Sequence, residues 1–127
     1  MKLRIRGNSI RLRLLPGEVA QLGATGEVTE KTVFVQSNLI YTLRTSRVVK
    51  ELSANFADNE IVVTLPDTVA RDWVESNEVG IEAEQVISPN ETLKILVEKD
   101  FVCLDRAGDE DNQNAYPHPG LNCNSEF

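Results

Sequence analysis

A chain of 127 residues, 41% hydrophobic and 26% charged, has the size and make-up of one compact domain that closes its core without a metal or disulfide. No apolar run is long enough to cross a bilayer, and Met1-Lys2-Leu3-Arg4-Ile5-Arg6 alternates charge with hydrophobe, which excludes a signal peptide reading. The net charge of −7 is unevenly held: residues 1–50 carry nine Lys/Arg against three Asp/Glu, and residues 51–127 carry four against seventeen, so like charge opposes general phosphate binding.

Lys2, Arg4 and Arg6 alternate with Leu3 and Ile5, the period-two pattern of a half-buried strand. Gly7-Asn8-Ser9 is turn chemistry, and the alternation resumes from Ile10 to Leu14. The expected hairpin has Leu3, Ile5, Ile10, Leu12 and Leu14 inside and Lys2, Arg4, Arg6, Arg11 and Arg13 outside. Pro16 opens a short helix through Leu22, with Glu18 near its positive end and Gly23 as its stop. Val33-Phe34-Val35 and Leu39 to Leu43 form a second hairpin around Ser37-Asn38.

Val48 to Phe56 and Ile61 to Leu65 are expected strands flanking an Asp58-Asn59 turn. Asp67 to Glu75 is a helix with Val69, Ala70 and Trp73 on one face, Trp73 being core. Val79 to Ile87 and Leu93 to Val97 are strands around Ser88-Pro89-Asn90. From Asp105 to Phe127 the chain turns acidic and is broken by Pro117, Pro119 and Gly120, as a tail would be; Tyr116, Leu121 and Phe127 are the residues that could pin it. The domain is thus expected over residues 1–104 and the tail over 105–127.

Leu15-Pro16 with Val19-Ala20 recurs as Leu65-Pro66 with Val69-Ala70, each after a β-branched run. The unit is strand, strand, short helix, strand, strand, written over residues 1–45 and again over 46–100. One copy is too short to close a core, so the expected fold is mainly β (α+β), a pseudo-symmetric β-barrel of two repeats.

The string Ile61-Val62-Val63-Thr64-Leu65-Pro66, then Val69-Ala70, Val79-Gly80-Ile81-Glu82 and Leu93-Lys94-Ile95-Leu96 resembles the AbrB-type swapped-hairpin fold. Arg6-Gly7-Asn8-Ser9 with Arg13 and Pro16 is similar to the Gly-Asn-Ser turn region of MazE-like antitoxins. The resemblance implies two interlocked units, here held in one chain, and a DNA-binding regulator or antitoxin. A double-psi barrel is the architectural rival. The whole chain, with Glu98-Lys99-Asp100-Phe101 and Cys103-Leu104 after the last strand, more closely resembles small bacterial proteins that carry no assigned activity. Two departures weigh against DNA. The tryptophan that usually precedes the Gly-Asn-Ser turn is Arg6 here, and the second hairpin offers Lys50 among Glu51, Asp58 and Glu60 where the antitoxins have a second basic arm.

The five cations Lys2, Arg4, Arg6, Arg11 and Arg13 are the candidate binding residues, for a protein partner or for nucleic acid; the competing expectation is a strand face balanced by the acidic half. Cys103, His118 and Cys123, with Asp105 or Asp111, lack the close Cys–Cys or His–His spacing of a zinc site, so no metal or cofactor is expected. Val102 and Leu104 make Cys103 a small buried thiol, and Glu98, Asp100 and Asp105 have no spacing that dictates acid–base work. Thiols in a leaderless chain point to the cytoplasm, with one late Cys103–Cys123 disulfide left open. The expected role is a non-enzymatic, protein-interacting module, homodimeric or with another partner and away from membranes; the alternative is an AbrB/MazE-like DNA-binding regulator or antitoxin.

Overall fold

The computed structural model describes residues 1–100, so the expected tail and both cysteines lie outside the described residues. β1 (Lys2–Arg6) and β2 (Ser9–Leu14) form the first hairpin. Its two-residue turn places Gly7 at φ 54°, the positive first angle of a II′ hairpin turn, which glycine adopts without a Cβ clash. Then come α1 (Pro16–Thr25), β3 (Glu27–Val33) and β4 (Asn38–Ser46). β5 (Ser53–Ala57) and β6 (Glu60–Pro66) meet at Asp58 (φ 53°) and Asn59 (φ 65°), the doubly positive pattern of an I′ turn. α2 (Asp67–Glu75), β7 (Gly80–Ser88) and β8 (Glu91–Lys99) complete the order.

The strands build two four-stranded sheets: β1-β2-β8-β7 and β3-β4-β6-β5. Each sheet joins a hairpin from the first half of the described chain to one from the second. The joints, β2 to β8 and β4 to β6, are parallel, and the other pairings are antiparallel. Among the described residues no closed barrel forms, which corrects the sequence expectation. Where β5 nears β7, a side chain links them: Gln85 Oε1 accepts the Ala54 N–H at 2.8 Å.

The core lies between the sheets and the helices. Leu12 stands opposite Val97 in the first sheet and Val63 opposite Leu43 in the second, all essentially without solvent contact. Val19 and Leu22 enter from α1, and Ala70 and Trp73 from α2. Trp73 is fully buried, as expected, and its indole N–H donates to the Val79 carbonyl at 3.2 Å. Burying a side chain of that size is worth roughly 3 kcal/mol of apolar transfer.

Several local expectations are corrected. Gly23 lies inside α1 rather than ending it, because a Cβ there would meet Val74 Cγ1 of α2 at 3.0 Å; it permits close helix contact. The helix stops at Gly26, φ 81°, whose N–H returns to the Leu22 carbonyl. Val69 is exposed, since burial on α2 follows Ala70, Trp73 and the half-buried Val74. β3 runs over Glu27–Val33, and Phe34 and Val35 fall in the loop. Val48 is exposed and outside β5.

Ile5 is 58% exposed near the tip of an edge strand, not inside the hairpin. Leu15-Pro16 and Leu65-Pro66 are not equivalent either: Pro16 is the first residue of α1, whereas Pro66 is the last of β6. The buried triplets Ile10, Leu12, Leu14 and Ile61, Val63, Leu65 recur one residue out of step with the Leu-Pro pairs.

Candidate functional site

The strand register gathers the cationic residues on the face of the first sheet that turns away from the core. Lys2 stands opposite Arg13, Arg4 opposite Arg11, and Arg6 opposite Ser9. Repulsion between such cross-strand cations needs acidic partners to hold the pairing. The parallel joint supplies one, because it sets Arg13 beside Glu98 of β8. Arg13 Nε donates to Glu98 Oε1 at 2.7 Å, and Arg11 Nε lies 3.5 Å from the same oxygen. Lys2 Nζ reaches Asp100 at 3.1 Å.

Burial divides the five cations into two groups. The Arg11 and Arg13 side chains are only 10% and 15% exposed, so they are built into the sheet together with Glu98. Lys2, Arg4 and Arg6 are exposed along β1, an edge strand. An edge strand presents unpaired backbone groups along its outer side, which suits pairing with a further extended segment.

Beside these residues lies an open groove of about 640 Å³, lined by Arg6, Ser9, Arg11, Lys94, Glu82 and Glu84 with apolar stretches of β8. Arg6 and Arg11 thus occupy the β1–β2 side and two glutamates the β7 side, with Lys94 of β8 between them opposite Glu84. Sequence reasoning missed Lys94, Glu82 and Glu84. No local signal marks them, because only the long-range β2–β8 pairing brings them to this face.

A second polar cluster fixes the start of β1. The Met1 ammonium pairs with Glu18 of α1 and, at 2.8 Å, with Glu30 of β3. Tyr41 Oη donates to the Met1 carbonyl at 3.3 Å. Glu18 also accepts the Leu15 N–H at 2.8 Å. Burial opposes the charged ammonium, but the hydrogen bonds and charges of Glu18 and Glu30 outweigh it and raise its pKa above 8.0. Burial would raise the Glu18 pKa, yet the ammonium and the Leu15 N–H outweigh it and hold the carboxyl below 4.5. Burial and the charges of Glu30 and Glu18 raise Tyr41. This cluster fastens the start of the cationic strand to α1, β3 and β4.

Cys103, His118, Cys123, Asp105 and Asp111 lie outside the described residues. Among the described residues there is no group of three His, Cys, Asp or Glu placed to hold a metal, and no helix long and apolar enough to cross a membrane. Glu98 and Asp100 reach the same side, as their alternation requires, and both are engaged with cations.

The family of unknown function DUF7009 matches residues 1–120, and the chain belongs to that family. No curated protein and no solved structure matches it.

Proposed function

We propose that this DUF7009 chain is a non-enzymatic cytoplasmic binding module that takes an extended acidic segment of a partner protein along β1. One observation carries the proposal: the side chains of Lys2, Arg4 and Arg6 stand exposed along an edge strand, while those of Arg11 and Arg13 behind it are largely buried with Glu98. The partner strand gains backbone hydrogen bonds from the edge, and alternate carboxylates meet alternate cations. Glu82 and Glu84 on the far side of the groove repel an acidic chain and confine it to the β1 side.

The same proposal takes the fold as two strand-strand-helix-strand-strand units that exchange hairpins. Its support is the mixed parentage of each sheet, the two parallel joints, and the matched burial of Ile10, Leu12, Leu14 and Ile61, Val63, Leu65.

That exchange also favours one second reading, the AbrB/MazE-like DNA-binding regulator. Against it stand the net charge of −7 and the carboxylates on the cationic face itself. Fluorescence anisotropy separates the two, with a labelled decapeptide of alternating Glu and Val as one probe and a duplex DNA as the other. The expected result is peptide binding that weakens about tenfold in R4Q/R6Q, the order of two charge pairs. Duplex binding with a steep salt slope and no peptide binding overturns it in favour of the regulator.

A further inference from the structure

We propose that the chain's own acidic segment, Asp105 to Asp111, occupies the cationic face of the first sheet and so competes with the external partner. The inference rests on the preceding reading of β1 as a peptide-binding edge. Three observations carry it: where the described chain ends, how far the following residues reach, and their charge.

The described chain ends at Asp100, whose N–H donates to the Leu14 carbonyl at 2.9 Å and whose carboxylate pairs with Lys2. The following residue therefore leaves from the Lys2 end of β1. From there Arg4 and Arg6 lie successively further along the edge, and Arg6 borders the groove. At about 3.3 Å per residue, β1 spans roughly 17 Å, and an extended chain from Asp100 reaches about that far at Asp105 and about twice as far at Asp111. Asp105, Asp109, Glu110 and Asp111 can thus be presented along the whole of β1.

Charge selects this occupant and this face. Residues 101–127 hold five carboxylates and one arginine, a formal −4. On the opposite sheet the corresponding edge strand β5 offers Ser53, Asn55 and Ala57, which bring no positive charge to an acidic segment. A second copy of a chain at −7 is repelled overall, whereas a tethered segment is held at an effective concentration of order millimolar.

The test uses the full chain with a nitroxide at A107C in a C103S/C123S background, reading amide signal loss residue by residue. The diagnostic position is Arg6, at the end of β1 away from Asp100. The expected result is stronger attenuation at Arg4 and Arg6 than at Asn55, falling about threefold or more in D109N/E110Q/D111N and at roughly 0.5 M salt, where such charges are screened. Equal attenuation on β1 and β5, or attenuation indifferent to both changes, overturns the inference.

The acidic decapeptide supplies the second arm, titrated into the full chain with and without D105N/D109N/E110Q/D111N. Binding about tenfold tighter to the neutralised chain supports competition. Equal binding to both chains overturns the inference and leaves the partner-binding reading standing. Binding to neither chain overturns that reading, and charge-dependent attenuation at Arg6 then still upholds the intramolecular contact.

Discussion

The two sheets are laid out alike and charged differently. Each pairs an antiparallel hairpin with a second one through a parallel joint. Away from the core, the first sheet carries Lys2, Arg4, Arg6, Arg11, Arg13 and Lys94, with Glu98 set among them. At the matching places the second carries Ser53, Asn55, Ala57, Val62 and Thr64, and its Arg44–Glu27 pair is exposed at 2.8 Å. The shared layout therefore does not require the exposed cations Lys2, Arg4 and Arg6, whose counterparts in the second sheet are uncharged. Residues that the fold leaves optional are where function is best sought.

The largest expected effect lies where the two sheets share one core. Trp73→Ala removes a fully buried side chain that no neighbour can replace, and should cost about 3–5 kcal/mol. Leu22→Ala, the corresponding change in α1, should cost about 2–5 kcal/mol. Urea unfolding followed by amide probes in both sheets should show a single transition in each variant. Two separated transitions would mean that the sheets unfold independently.

Next comes the difference between the outer faces. Glu98→Gln removes the carboxylate that the largely buried Arg11 and Arg13 side chains share, so it should cost about 1–3 kcal/mol. Glu27→Gln breaks an exposed pair in the other sheet and should cost less than about 0.5 kcal/mol. Equal losses in chemical denaturation would remove the claim that Arg11 and Arg13 are built into the sheet while other surface charges are not.

A smaller contrast separates the helix ends. Gly26 closes α1 at φ 81°, where an added Cβ also meets Thr45 Oγ1 at 3.0 Å, so Gly26→Ala should cost about 1–2 kcal/mol. Ser76 closes α2 with extended backbone at φ −113°, and Ser76→Ala loses only its bond from the Glu78 N–H, below about 1 kcal/mol. Thermal unfolding ranks the two; a reversed order would mean that the α1 end relaxes around the new methyl.

How much of this was legible in the sequence follows from where the information sits. Ile10 to Leu14 and Ile61 to Leu65 alternate cleanly, and both are strands with their apolar side buried. α2 was readable to its ends, because Asp67 opens it and its burial has helical spacing. β3 was missed over Glu27–Thr32 because it is an edge strand with Val28 as its one buried apolar residue, so alternation has little to show. The five cations were legible as a face, but their division into built-in and exposed members was not. That division depends on Glu98, brought beside β2 by a pairing some eighty residues distant in sequence. Pairing between remote strands is a tertiary fact, and no local pattern encodes it.

The last prediction concerns the polar junction that ties β1 of the first sheet to the second. Met1 bridges Glu18 and Glu30 and receives Tyr41, so α1, β3 and β4 all hold the start of the cationic strand. Glu18 is held below its ordinary 4.5, so its contribution is present above that pH and is lost as acid protonates it through the lowered folded value. The Met1 ammonium is raised above its ordinary 8.0, so its contribution is complete below that pH and is lost as alkali deprotonates it through the raised value. Stability should therefore crest between about 4.5 and 8.0 and fall on both sides. Glu18→Gln should flatten the acid limb and weaken the alkaline one, because Glu30 still faces the ammonium. Hydrogen exchange should find the loss first at Lys2 to Arg6, the strand this junction fastens, with Ser53 to Ala57 slower to respond. Simultaneous loosening of both edges would mean that the junction supports the whole core, and that the cationic strand has no separate attachment.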